Sequence, residues 1–478
     1  MKKGLLWLIL VSFILCPAIS FADMGTMEPK SKDVEVNFFG SVKTYPTFLS
    51  DVDLNSDDTS FDWIMDESGK MADHNVRNEA RIGWTVKGEN FDFMVILEAD
   101  FNLNKANGDR GLDGSSPSDS GMSGEDFGIE KLNVGYDFGP FGVKVGWNTR
   151  FLDIQTGGLL YGDDHPYIGF DGKFSDSVSW EVLYLIIQDE TTTDGVGAID
   201  ADTLDWRVYT FKLNYKLPNS FILSPFYAYS DNEETKAANA KVHYLGFEGY
   251  GKLGMVTPRF ELVYAVGDTD TYAATGQDYD ISGLAGYASA EINISPAVIP
   301  YFGVSYESGD DNANDDDIAA FNGITNISRY TPTFGMENAF IYRYVSVLGS
   351  HLYSNNFAIL GGDTPGYGGI SNSSSGDSPG LLSYGIGVKG EIDKFAYRAQ
   401  ILFMTFEEEG ALEDVYGNDI DSYVGTEYDI HLSYKFGKHF TLANCLSIFD
   451  PGDAVQDIRG DDYDDIGIID TVEMTWSF

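Results

Sequence analysis

At the end of the chain Thr471, Glu473, Thr475 and Ser477 are polar, while the intervening Val472, Met474, Trp476 and Phe478 are apolar or aromatic. A side-chain period of two belongs to a β-strand, and here it predicts water on one face and hydrocarbon on the other. A soluble edge strand is the competing account, but Val, Met, Trp and Phe exposed along it would invite aggregation. Residues 34–42 alternate in the same way. In the clearest hairpin, Val76, Ala80, Ile82, Trp84 and Val86 share one face, and Arg77, Glu79, Arg81 and Lys87 share the other. Gly88-Glu89-Asn90 turns the chain. Phe91, Phe93, Val95, Leu97, Ala99 and Phe101 then return on the apolar face, with Asp92, Glu98 and Asp100 opposite.

The same rhythm recurs, with tight turns near Gly139-Pro140, Ser175-Asp176, Pro218-Asn219, residues 252–254, Ser295-Pro296, Asp393-Lys394 and Gly437-Lys438. Between them lie longer polar stretches at 102–126, 151–166, 188–205, 231–240, 267–280, 407–425 and 450–464. The pairs around 241–266 and 281–306 alternate less cleanly. The longest interruption, about 307–381, is Gly- and Ser-rich, and 340–360 within it reads either as loop structure or as an extra hairpin. At about ten residues per strand this gives 16–18 strands, with the higher number favoured. The predicted fold class is therefore all-β: a transmembrane antiparallel up-and-down β-barrel with short periplasmic turns and long extracellular loops.

No apolar run after residue 22 is long enough for a helical span, which needs roughly 20 residues. Membrane insertion would have to be by strands. Their backbone polar groups must all be paired in hydrocarbon, so the sheet must close. At the other end, Lys2 and Lys3, an apolar core over 5–15 and Ser20-Phe21-Ala22 describe a secretory signal peptide over 1–22. A short mature N-terminus (23–33) and one barrel (34–478) complete the expected organisation. Leu15 before Cys16 is too bulky for a lipoprotein site.

Charge then narrows the function. The chain carries 75 acidic against 30 basic residues, a formal net charge of −45, which argues against nucleic-acid binding. With the leader gone, Cys445 is the one remaining cysteine, so neither an intrachain disulfide nor a thiolate metal cluster can form. His74, His165, His243, His351, His431 and His439 show no metal-ligand spacing, and no Gly-x-Ser-x-Gly elbow occurs. The acidic runs 310–317 and 461–465 lack the glycine and distal glutamate of a helix-loop-helix calcium site, so solvated loops are expected. Asp73-His74 reads as loop polarity, not as a catalytic pair. No enzymatic activity and no cofactor are expected. Trp84, Trp147, Trp180, Trp206 and Trp476 are expected to face outward in aromatic girdles.

Two segments carry a family likeness. Arg81-Ile82-Gly83-Trp84 with Lys87-Gly88, and 132–146 with its Asp137-Phe138-Gly139, resemble strands of the general diffusion porins of Gram-negative outer membranes. The match spans about 34–190 and the C-terminal strand. The family usually places arginine directly after the last glycine of that hairpin; here Trp147 follows Gly146 and the nearest arginine is Arg150. A weaker likeness joins 306–317 to larger 18-stranded barrels, including alginate-export channels. The resemblance implies an outer-membrane location, a homotrimer, contact with lipid and lipopolysaccharide, and recognition of the Phe478 strand by the barrel-assembly machinery.

It also implies that the loop after the fifth strand, by strand order 151–166, folds inward to narrow the pore. That loop holds Asp153, Asp163, Asp164 and His165. Opposed to wall bases Arg77, Arg81, Lys144 and Arg150, with Glu98 and Asp100 beside them, its acids would set a transverse field across a constriction. Inward acids and bases balance along the strands, so the excess acid falls in the loops and predicts mild cation selectivity. The leading expectation is a passive diffusion channel for small hydrophilic solutes and ions. A substrate-specific channel or exporter for an acidic polysaccharide, and a structural or adhesive barrel, remain as alternatives.

Overall fold

The structure, a computed structural model, describes residues 34–51, 54–55, 76–102, 127–190, 204–235, 238–270, 278–312, 315–325, 330–336, 338–343 and 379–478. The expected signal peptide and mature N-terminus, and Asp73-His74, lie outside the described residues.

The described chain forms β1 (Glu35–Ser50), β2 (Val76–Lys87), β3 (Phe91–Asn102), β4 (Phe127–Asp137), β5 (Phe141–Phe151), β6 (Gly162–Ser175) and β7 (Val178–Glu190). It continues with β8 (Leu204–Lys216), β9 (Ile222–Thr235), β10 (Ala238–Tyr250), β11 (Val256–Asp270), β12 (Tyr279–Ile292) and β13 (Ile299–Glu307). A two-residue β14 (Asp317–Ile318) and a short helix α1 (Phe340–Arg343) follow, then β15 (Leu381–Ile392) and β16 (Phe395–Phe406). Helix α2 (Gly410–Tyr416), β17 (Tyr423–Lys435), β18 (Phe440–Pro451), helix α3 (Asp453–Arg459) and β19 (Gly467–Ser477) complete it.

All strands but β14 pair antiparallel with their sequence neighbours, β13 pairs with β15, and β19 pairs back onto β1. The result is a closed barrel of 18 strands. This is the higher of the expected counts. Closure leaves no free sheet edge, so the ladder N–H and C=O groups of each strand face a strand on either side. The tight turns fall at one end; the Gly88 N–H donates to the Phe91 carbonyl at 2.9 Å and the Phe138 N–H to that of Phe141 at 2.9 Å. The long connections fall at the other end. The stretch 231–240 is a correction: β9 runs to Thr235 and β10 starts at Ala238, so most of it is strand.

Outward positions are apolar. Along β11 these are Phe260, Leu262, Tyr264 and Val266, and the band stops at Asp268, which lies abreast of Lys241. One register step below, Tyr184, Tyr209, Tyr229 and His243 form a ring row across four strands, with neighbouring centroids 4.8–6.2 Å apart. At the turn end Phe38 packs on Trp84 and Phe478, and Phe440 on Trp476. An apolar belt between two aromatic rows is the outer surface of a membrane-spanning barrel. Trp206 departs from the expected girdle. It faces inward, 4% exposed, and its indole N–H donates to Ser230 Oγ at 2.8 Å.

The molecule's core lies inside the barrel. On β7–β12, inward positions are themselves apolar, including Leu183, Leu185, Val208, Ala228, Val242, Val263, Ala265 and Ile281, all buried. Loop segments cover them. This explains why the pattern at 241–266 and 281–306 alternates poorly: both faces of those strands meet apolar surroundings.

Candidate functional site

The connection between β5 and β6 is short and folds inward. Its floor is fixed by Asp153, whose carboxylate accepts the N–H of Leu160 at 2.6 Å and of Tyr161 at 3.3 Å. Outward from that knot, Thr156 Oγ1 lies 2.8 Å from both Glu248 and Glu261, and the Gly157 N–H donates to Glu261 at 2.8 Å. Lys212 donates to the Leu152 carbonyl and to Glu248. Leu152, Leu159, Leu160 and Tyr161 are fully buried against the wall. Burial raises the Asp153 carboxyl above its ordinary range, against the pull of its backbone donors and Lys212.

A second segment enters from the connection between β13 and β15. Phe321 and Ile324 pack inside, the Ile324 N–H donates to the Leu160 carbonyl at 2.8 Å, and the Gly162 N–H to that of Thr325 at 3.0 Å. The two inward loops thus meet backbone to backbone. Farther along, wall bases clasp loop carbonyls: Lys389 reaches Pro332 at 2.7 Å, and Arg398 reaches Pro332 at 3.0 Å and Gly335. Arg259 and Lys389 share Glu291, at 2.7 and 2.9 Å. Gln400 donates to the Phe334 carbonyl at 3.1 Å, the Ile341 N–H to Glu427 at 2.6 Å, and Phe340 stacks on Phe449 with centroids 4.9 Å apart. An 18-stranded ring is wide enough for a broad aqueous pore. Here the loops occupy its β8–β18 side.

The β1–β7 wall carries a ribbon of charges instead, half-exposed around a buried Glu79. Lys43 lies 3.6 Å from Glu79; Arg81 lies 3.2 Å from Glu79, 3.0 Å from Glu130, and bonds Glu98. Lys131 lies 3.4 Å from Asp164 and bonds Thr149, while Arg150 pairs with Glu181 under the Tyr167 ring. Lys144 lies 3.9 Å from Asp171. At the turn end this wall opens into a recess of about 230 Å³ lined by Lys87, Asp92, Asn133, Lys144, Asn148 and Arg150.

The expected constriction residues are therefore only partly brought together. Arg81, Glu98 and Arg150 do share the lumen wall, with Lys144 toward the turn end. Arg77 and Asp100 sit on β2 and β3, with side chains outside the described residues. The predicted loop ends sooner than expected: Asp163, Asp164 and His165 belong to β6, because 162–175 pairs with β5 from Phe151↔Gly162 onward. Asp153 is wholly buried and organises the loop instead of facing the pore. The wall bases meet wall acids beside them, not loop acids across the lumen. Sequence reasoning missed Glu130, which a β-bulge opposite Ile96-Leu97 turns inward out of its alternation. Among the described residues no group of three or more His, Cys, Asp or Glu is placed to hold a metal.

No protein-family model matches the chain, and a search of curated proteins gives no match. Solved structures do match in fold. Acinetobacter baumannii OccAB2 superposes with a TM-score of 0.55 at 10% identity, covering 93% of this chain and 98% of that one. Pseudomonas aeruginosa OccK2 (OpdF), in complex with glucuronate, gives 0.53 at 12% identity with the same coverage. Pseudomonas aeruginosa OpdK with vanillate gives 0.53 at 9%, again covering 93% and 98%. With the apolar belt and closed wall, this is the fold of a membrane-spanning β-barrel, shared with these solved structures.

Proposed function

We propose that this outer-membrane barrel is a narrow channel for small hydrophilic solutes, whose route follows the charged β1–β7 wall, with a preference for cations. One observation carries the reading: two inward loops are bolted to the β8–β18 wall while paired, water-accessible charges line the remainder. Acids outnumber bases along that lining, with Glu35, Asp92, Glu98, Glu130, Asp163, Asp164, Asp171, Glu181 and the buried Glu79 set against Lys43, Arg81, Lys87, Lys131, Lys144, Arg150 and Lys173. The chain's net charge of −45 adds a negative field at the mouth. Such a field raises local cation concentration and fades with salt, as the Debye length shrinks from about 30 Å at 0.01 M to about 3 Å at 1 M. Passage needs no cofactor in this mechanism.

The test is single-channel recording of the purified protein in a planar bilayer under a salt gradient. Small ohmic steps with cation-positive reversal at low salt, weakening at high salt, are expected. Large steps would remove the narrow-channel reading, anion preference the selectivity, and absent steps would favour a structural barrel. A second reading has its own support: Lys87, Lys144 and Arg150 around the recess suit a small carboxylate. Uptake of glucuronate or vanillate into proteoliposomes, faster than that of neutral sugars of equal size, would establish it. The proposal also takes lipopolysaccharide as the surroundings of the belt and a homotrimer as the assembly, checked by native mass measurement in detergent.

A further inference from the structure

Buried carboxylates in this barrel are matched one by one. Glu79 meets Lys43 and Arg81, Glu248 meets Lys212, and Glu291 meets Arg259 and Lys389. Glu261 receives the Gly157 N–H, Glu427 the Ile341 N–H, Asp429 the Gln400 amide, and Asp310 the N–H groups of Asn312 and Ala319. Glu307 is the exception. It is 7% exposed at the loop end of β13, and no donor or cation reaches it among the described residues.

It faces a cavity of about 40 Å³ between the inward loops and the wall, lined by Gly157 of the first loop, Thr331 and Phe334 of the second and Tyr287 of β12. By the same measure a water takes roughly 10–15 Å³, so the space admits a bare or singly hydrated small ion. The remaining polar lining is hydroxyl. Ser305, two residues before Glu307 on the same face, lies abreast of Ser383 on β15, and neither hydroxyl bonds any described residue. Thr331 supplies a third. Hydroxyl oxygens and one carboxylate form a hard oxygen donor set. One negative charge balances one positive charge, whereas a divalent ion would leave an uncompensated charge in the interior.

We propose that Glu307, Ser305, Ser383 and Thr331 bind a small monovalent cation of sodium's size, which ties the inward loop that bears Thr331 to the β13–β15 wall. The site is independent of which solute the channel carries. The alternative state of the same cavity is a protonated Glu307 with water beside it, and the two states respond differently to salt.

The purified barrel in detergent is melted in NaCl and in N-methyl-D-glucamine chloride at equal ionic strength, since the organic cation is too large for the cavity. Sodium is expected to raise the melting temperature in a saturable way, and Glu307→Gln, which keeps the shape, to abolish that dependence. Ser383→Ala is the second variant, should the first fold poorly; it is expected to move the half-saturating sodium concentration up by at least about tenfold, the loss typical of a partner group in a metal site. Crystals soaked in thallium(I) should show an anomalous peak beside the Glu307 carboxylate. Identical melting of the wild type in both salts, an undiminished sodium effect in both variants, or a cavity without anomalous signal at saturating thallium overturns the proposal.

Discussion

At the scale of single residues, two contacts decide how the lumen is filled. A Cβ on Gly323 would lie 2.3 Å from the Leu159 carbonyl oxygen, a backbone atom that cannot swing aside. Gly323→Ala should therefore push the two inward loops apart and raise single-channel conductance, with the barrel still resisting unfolding in detergent; unchanged conductance would show that the contact does not shape the route. Asp310 gives a pH dependence. Burial, with Asp311 and Asp315 nearby, pushes its carboxyl up to about 6, and the N–H groups of Asn312 and Ala319 only partly offset this. An acid raised in the fold binds its proton more tightly than in the unfolded chain. Its favourable contribution is complete at low pH and is lost as pH rises through about 6. Hydrogen exchange at Ala319, corrected for intrinsic rate, should be slower at pH 5 than at pH 7, and Asp310→Asn should flatten the difference.

At the scale of elements, legibility in the sequence followed the solvent on each face. The hairpin of β2 and β3 was readable because water and hydrocarbon lie on opposite sides, so the period of two survives intact. Strands β10–β12 were harder, since inward Val242, Val263 and Ile281 are covered by loops and look like outward residues. Trp206 was misplaced for the same reason: an aromatic near a strand end can serve a girdle or a buried floor, and its Ser230 partner is 24 residues away. The inward course of the β5–β6 loop was legible only through family likeness, because its anchors Glu248 and Glu261 come from strands far along the chain. Those anchors can be tested. Lys212→Met leaves Glu248 buried without its counter-ion, and removing one partner of such a pair costs roughly 3–5 kcal/mol. Faster proteolysis at 152–161, with β-content retained, is the expected reading; protection equal to wild type would mean that hydrophobic packing alone holds the loop.

For the whole molecule, the belt fixes where the barrel can sit. Leu262 is 53% exposed in the middle of the outward apolar row of β11. Leu262→Arg should destabilise the barrel in lipid by roughly 2–4 kcal/mol, the cost of a midplane arginine on such a surface. The same change should matter far less in detergent, where the head group can find water. A similar penalty in both media would place Leu262 outside the hydrocarbon.

The β1–β19 seam governs assembly in time. Thr47 and Thr471 meet across it at 3.2 Å although 424 residues separate them, and the carbonyl of Phe478 accepts the Gly40 N–H. Most other wall joints link strands close in sequence, and even β13 and β15, divided by the long interruption, lie far nearer along the chain than β1 and β19. The seam has no turn, so it must wait until the whole sheet has curled far enough for its first and last strands to find each other. Such a distant closure is slow, and until it happens both rims stay open to pairing with another chain. The final strand is thus a latch that decides when a half-built barrel stops being adhesive.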